Sequence, residues 1–156
     1  MASTVSTDVV LTPLTGKGRT LEEWLTTFHL AVVALDPFTP EGAWIMPVAT
    51  RVLTQFSQAD VRVALLLPAT PDECRLFLGP WVNSLLTFAD PESTAIKGMG
   101  FERLPTFAHI AMDGTLEGKA EGWQPAEWQA VADNLAKVLS WTSVVVDGGS
   151  NVPAPF

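Results

Sequence analysis

Residues 100–128 read GFERLPTFAHIAMDGTLEGKAEGWQPAEW. Thr106–Met112 is a short run rich in apolar residues and predicts a strand. Asp113-Gly114 is a tight-turn pair, and Leu116–Ala120 is the return strand of an antiparallel hairpin. Pro125 then opens a helix. Trp128, Val131, Leu135 and Val138 recur at helical spacing and predict its buried stripe, with Glu127, Asp133, Asn134 and Lys137 toward water.

Upstream the rhythm differs. Thr20-Leu21-Glu22-Glu23 is a capping box that predicts a short helix to about Phe28. Leu30–Leu35 and Val61–Leu67 are Val- and Leu-rich runs of strand length, the pattern of parallel strands buried on both faces. Between them, Ile45, Val48, Val52 and Phe56 predict a helix over Ala43–Phe56. Thr70-Pro71-Asp72-Glu73 opens another helix, with a cap, an N1 proline and a capping glutamate. Leu85–Ala89 predicts a strand, and Asp90-Pro91-Glu92-Ser93 the start of a short helix. βαβ crossovers thus come first, an antiparallel hairpin follows, and a helix closes the domain, which implies a mixed sheet with helices on both faces. The domain is set at residues 20–141. Residues 1–19 read as an N-terminal extension with a short strand at Val9–Leu11. Residues 142–156, with Gly148-Gly149, Pro153 and Pro155, read as a flexible C-terminal tail.

Composition narrows the function classes. The 156 residues suit one domain. Hydrophobic residues make up 47% and mean hydropathy is +0.25, yet no stretch approaches the ~20 apolar residues of a spanning helix. Residues 1–7 lack a basic region followed by an apolar one, so the expected location is cytoplasmic. Cys74 is the only cysteine, which rules out an internal disulfide and fits a reducing compartment. Net charge is −8 and the nine Lys and Arg residues are scattered, so nucleic acid is not an expected partner. With charged residues at only 17%, the six Trp and eight Phe either fill a core or leave apolar surface for a protein partner or a second copy. No phosphate-binding glycine loop, dinucleotide fingerprint or nucleophile elbow occurs, and no cofactor is expected. His29 and His109 lie far apart in sequence and, with one cysteine, give no metal-ligand spacing. Asp36 and Glu41 flank one loop, either as an acid–base pair or as solvated carboxylates.

The element order resembles the thioredoxin-like superfamily, and particular residues carry the resemblance. Gly100–Phe107 is similar to the segment leading into that family's cis-proline, Ala111–Gly118 to the hairpin that follows, and Gly122–Trp128 to the entry of its last helix. Val32–Phe38 resembles the central strand running into the redox loop, and Pro47 the kinking proline of the next helix. Residues 85–107 look closer to the peroxiredoxin and thiol-oxidoreductase branches. The resemblance implies a three-layer α/β/α domain with a mixed central sheet and a cis bond before Pro105. It also places the family's Cys-x-x-Cys at Thr39-Pro40-Glu41-Gly42, where neither end is cysteine, and its buried acid at Val33, which is apolar. Thiol exchange needs an attacking thiolate and a resolving thiol, so no catalytic residue is expected. Cys74, on another helix, is expected to be buried and inert.

The implied role is that of a redox-inactive protein-binding, chaperone-like or assembly module. Thioredoxin-like proteins lacking both cysteines occur in hydrogenase maturation, and this chain is similar in that respect. The expected binding groove runs between Phe38, Thr39, Pro40, Gly42 and Trp44 on one side and Leu104, Pro105 and Thr106 on the other. Thr39 and Pro40 read equally as an ordinary N-cap and N1 residue, and Trp44 equally as core. Alternative roles are a structural subunit of a homo-oligomer or larger complex, and a non-thiol enzyme on the same scaffold.

Overall fold

The computed structural model describes residues 3–147 and 152–156. Eight strands form the sheet: β1 (Ser3–Thr4), β2 (Val10–Pro13), β3 (Arg19–Thr20), β4 (His29–Ala34), β5 (Val61–Leu67), β6 (Leu86–Ala89), β7 (Thr106–Ile110) and β8 (Thr115–Glu121). Five helices accompany them: α1 (Leu21–Trp24), α2 (Pro40–Gln55), α3 (Pro71–Leu78), α4 (Thr94–Gly98) and α5 (Pro125–Leu139). The strand order is β1-β8-β7-β4-β5-β6-β2-β3. β4, β5 and β6 run parallel, and β7 joins the other side of β4 antiparallel. The mixed sheet expected from the sequence is what forms.

β4 sits at the centre because it has no polar face. Ala31, Val33 and Leu35 point into one apolar cluster with α2, α3 and α5, whereas Leu30, Val32 and Ala34 point into a second cluster with α1 and α4. Successive strand residues alternate between faces, so a strand apolar at every position from Leu30 to Ala34 must be covered on both. Each Leu or Val so buried contributes about 1.5–3 kcal/mol. The α2 stripe Ile45, Val48, Val52 and Phe56 is buried as expected. Helix α2 starts three residues before the expected Ala43 because the Thr39 side chain accepts the Gly42 N–H and Pro40 takes the N1 position. Pro47 lies inside α2. On α5 the buried stripe is Trp128, Val131 and Leu135, but Val138 is 45% exposed, and the stripe continues instead at Leu139, which packs against the core cluster.

Described residues on the far side of the boundaries drawn at 20 and 141 pack with the domain. Thr4 pairs with Thr115, and β2 pairs with β6 through Thr12–Ala89 and Pro13–Phe88. Leu11 is buried, and its carbonyl accepts the Trp24 indole N–H at 3.1 Å. After α5, Val144 and Val146 are buried in the cluster with α2 and α5, and Val152–Phe156 returns to bond Trp123. The expected tail is packed at its described residues. Its Gly148–Asn151 portion, like Met1 and Ala2, lies outside them. At the sheet margins, β1 and β3 are two-residue strands, and β8 is bridged by β1 only at Thr115 and Leu116.

Candidate functional site

The chain leaves β4 at Leu35, whose N–H donates to the Leu66 carbonyl at 3.1 Å. Asp36 then folds the loop: its Oδ1 accepts the Phe38 N–H at 2.9 Å. The Thr39 hydroxyl donates to the Asp36 carbonyl at 3.1 Å and accepts the Gly42 N–H at 3.2 Å. One side chain thus closes the loop and caps α2. Gly42 sits under that turn. A Cβ built there would stand 1.9 Å from the Asp36 carbonyl oxygen, well inside any contact distance. The position tolerates no side chain without displacement of the loop.

Facing this turn is the Leu104–Pro105 peptide, which is cis. The Thr106 hydroxyl donates to the Arg103 carbonyl, and the Gly122 N–H to the Pro105 carbonyl at 2.7 Å. The Leu104 N–H and C=O have no hydrogen-bond partner among the described residues. Between the two walls lies a cavity of about 370 Å³, bounded by Leu35, Asp36 and Thr39 on one side and Leu104 and Pro105 on the other. A helix start set against a cis-proline, at the end of a central strand flanked by one parallel and one antiparallel neighbour, decides the architecture.

The fold is thioredoxin-like. Among solved structures, the chain superposes on a DsbE-type thiol:disulfide interchange protein of Chlorobium tepidum with a TM-score of 0.71 at 14% identity, covering 89% of this chain and 99% of that one. Mycobacterium tuberculosis peroxidoxin BcpB gives 0.67 at 19%, covering 89% and 95%. MTB DsbF gives 0.65 at 16%, covering 88% and 98%. No family model matches the sequence, and no curated protein does.

On this thioredoxin-like scaffold only some of the residues named for the groove lie together. Thr39, Gly42, Leu104 and Pro105 line the cavity. Thr106 does not line it, being fully buried beneath. Pro40 occupies the N1 position of α2, the ordinary capping arrangement. Phe38 is 64% exposed at the loop's outer edge, away from the cavity lining. Trp44 is 55% exposed and therefore not core. It reaches the site only through Phe156, whose ring it meets edge-on at 6.3 Å and 77°. Four cavity-lining residues stood outside the expected groove, Leu35 at the end of β4 among them. Asp36 and Glu41 were visible as flanking carboxylates, and Asp36 is engaged as a turn former. Phe156 was hidden in the segment read as a tail.

The thiol lies elsewhere. Cys74 is on α3, fully buried in the cluster with α2 and α5. Burial, with the Glu73 carboxylate adding to it, pushes its thiol up to about 11, which leaves almost no thiolate near neutrality. Val33, where the resemblance places an acid, is likewise buried in that apolar cluster.

The two histidines, far apart in sequence, meet in space. The register Ala31↔His109 sets His29 diagonal to His109 across β4 and β7, within reach of long side chains. His29 Nδ1 lies 2.9 Å from His109 Nε2. His109 is fully buried, and its Nδ1 has no partner among the described residues. Burial first, and then the charge of His29, holds its pKa down to about 4, so it is neutral. No group of three metal-ligating side chains forms among the described residues. None of the helices among them is long and apolar enough to cross a membrane.

Proposed function

We propose that this chain is a binding module that uses a thioredoxin-like scaffold without thiol–disulfide exchange. The observation that carries the reading is Gly42. The position where the resemblance puts a resolving cysteine is filled from outside by the Asp36 carbonyl, 1.9 Å from where a Cβ would stand. Its partner position, Thr39, spends its hydroxyl on tying the loop to the helix. What remains is a cavity with apolar walls at Leu35, Leu104 and Pro105 and with Asp36 and Glu41 in its lining. Beside it are the N–H and C=O of Leu104, which have no partner among the described residues and are the groups an extended partner segment would bond. A chaperone-like or assembly role fits such a notch. Two measurements test it. The purified chain, incubated with a protein disulfide and a reductant, is expected to turn over no faster than a heat-killed sample; turnover abolished by Cys74→Ser would overturn the reading. Affinity capture from the native cell extract is expected to yield a partner that is lost with Leu104→Asp and retained with Trp81→Ala. A partner indifferent to Leu104 would place binding elsewhere.

A second reading, self-association, has its own observation. Leu76 on α3 is 86% exposed, and Trp81 in the following 3-10 turn is 42% exposed, an apolar surface of the kind that covers itself in oligomers. Sedimentation of the chain beside Leu76→Glu tests it, a monomer in both counting against it.

A further inference from the structure

The segment Val152–Phe156 reads VPAPF and binds the rest of the domain as a separate peptide would. The Phe156 N–H donates to the Trp123 carbonyl at 3.0 Å, and the Trp123 N–H returns to the Phe156 carbonyl at 2.6 Å. The Trp123 indole N–H donates to the Pro153 carbonyl at 2.9 Å. The two main-chain bonds form a reciprocal pair, the unit by which extended backbones bond to one another. Pro153 and Pro155 restrict the segment to extended backbone, so little freedom remains to be lost on docking. The receiving side is shaped for a close backbone. Gly122, at φ +78°, would place a Cβ 2.9 Å from the Phe156 carbonyl oxygen, and no side chain fits between them. Phe156 lines the cavity together with Leu104 and Pro105, and its ring packs against the ring of Trp44.

Resting on the groove reading above, we propose that Val152–Phe156 is the groove's own exchangeable ligand, and that an extended, proline-spaced partner peptide bearing an aromatic side chain displaces it. The ligand chemistry follows from the resident occupant: a carbonyl for the Trp123 indole, an N–H and C=O for the Trp123 main chain, and a ring for the pocket beside Trp44. Trp123 itself is fully buried against Trp128 at 5.0 Å; an incoming peptide replaces the acceptors of its N–H groups without moving it. A tethered segment competes at an effective concentration of about millimolar, so the resident peptide weakens binding of every rival, and loosening it strengthens that binding.

The test uses a fluorescein-labelled Val-Pro-Ala-Pro-Phe amide and full-length chains. Fluorescence anisotropy is expected to show Phe156→Ala binding the probe at least about ten-fold more tightly than the unaltered chain, and Leu104→Asp in that background losing it. Equal affinity in the unaltered and Phe156→Ala chains, still lost with Leu104→Asp, would overturn exchange while leaving the groove reading intact. No binding to any of the chains would overturn both. Should Phe156→Ala fold poorly, the unaltered chain answers the question by NMR. Saturating unlabelled peptide is expected to shift the Phe156 amide resonance and abolish its protection from solvent exchange. A Phe156 amide that stays protected would mark the segment as a fixed part of the fold.

Discussion

Replacing Gly42 by alanine tests the feature on which the functional reading rests. The added Cβ would lie 1.9 Å from the Asp36 carbonyl oxygen and 2.9 Å from its carbon. An ordinary contact needs roughly 3.5 Å, so the carbonyl must retreat by about 1.5 Å. That motion pulls it from the Thr39 hydroxyl, which also caps α2. Overpacking of this kind costs about 1–3 kcal/mol, and the lost hydrogen bond adds about 0.5–1.5 kcal/mol. The opposing gain in helix propensity is at most about 1 kcal/mol. With that gain taken in full, the net expectation is destabilisation of about 0.5–3.5 kcal/mol. At about 2–4 °C per kcal/mol for a chain of this size, Tm falls by roughly 1–14 °C. Circular dichroism melts and urea titrations of the two chains measure it. An alanine variant as stable as the parent, or more stable, would mean that propensity outweighs the clash and that the loop yields freely. Gly42 would then be an ordinary helix glycine, and a Cys-x-x-Cys pair would be only two substitutions away. If the argument holds, Thr39→Cys with Gly42→Cys is destabilised by the same collision.

Other expectations concern groups away from the groove. His109 is held neutral in the fold down to about pH 4 against 6.5 as a free side chain, so between those values the unfolded chain binds the extra proton. Stability should be full above pH 6.5 and decline as pH falls toward 4, and a urea-unfolding series with His109→Phe should show that slope flattened. Cys74 should resist a thiol reagent in native buffer and react completely in denaturant, because burial and Glu73 hold its thiol at about 11; rapid native labelling would contradict its placement. Asp90 accepts the Ala95 and Ile96 N–H groups at 3.1 and 2.9 Å. Asp90→Ala should therefore cost about 1–2 kcal/mol in thermal melts, as loss of a helix cap does, and an unchanged Tm would remove that role.

Local patterns in the sequence carry the secondary structure well where strong signals bound an element. The strand Val61–Leu67 forms over its expected span, as do the helix starts at Pro71 and Pro125. Non-local features are the ones that stay hidden. The His29–His109 contact exists only because β4 and β7 pair in one register; nothing within either segment encodes it. The closing segment reads as tail because Gly148-Gly149 and two prolines are loop signals, while its anchoring bonds reach back to Trp123. Its prolines serve an extended docked strand rather than disorder. At the site, Thr39 and Gly42 were legible as missing cysteines. That the Asp36 carbonyl occupies the vacated space is a property of the loop's path, which residue types alone do not give.

The outer margin of β8 has a consequence for how this molecule behaves among its own copies. Beyond its short bridge to β1, the strand runs on with no further partner strand among the described residues, a ready template for fibrous stacking. Glu117, Lys119 and Glu121 alternate along that stretch, with Lys119 and Glu121 paired at 3.5 Å. A second molecule adding itself there would have to strip water from those charges, so they act as gatekeepers against runaway polymerisation in an unusually apolar chain.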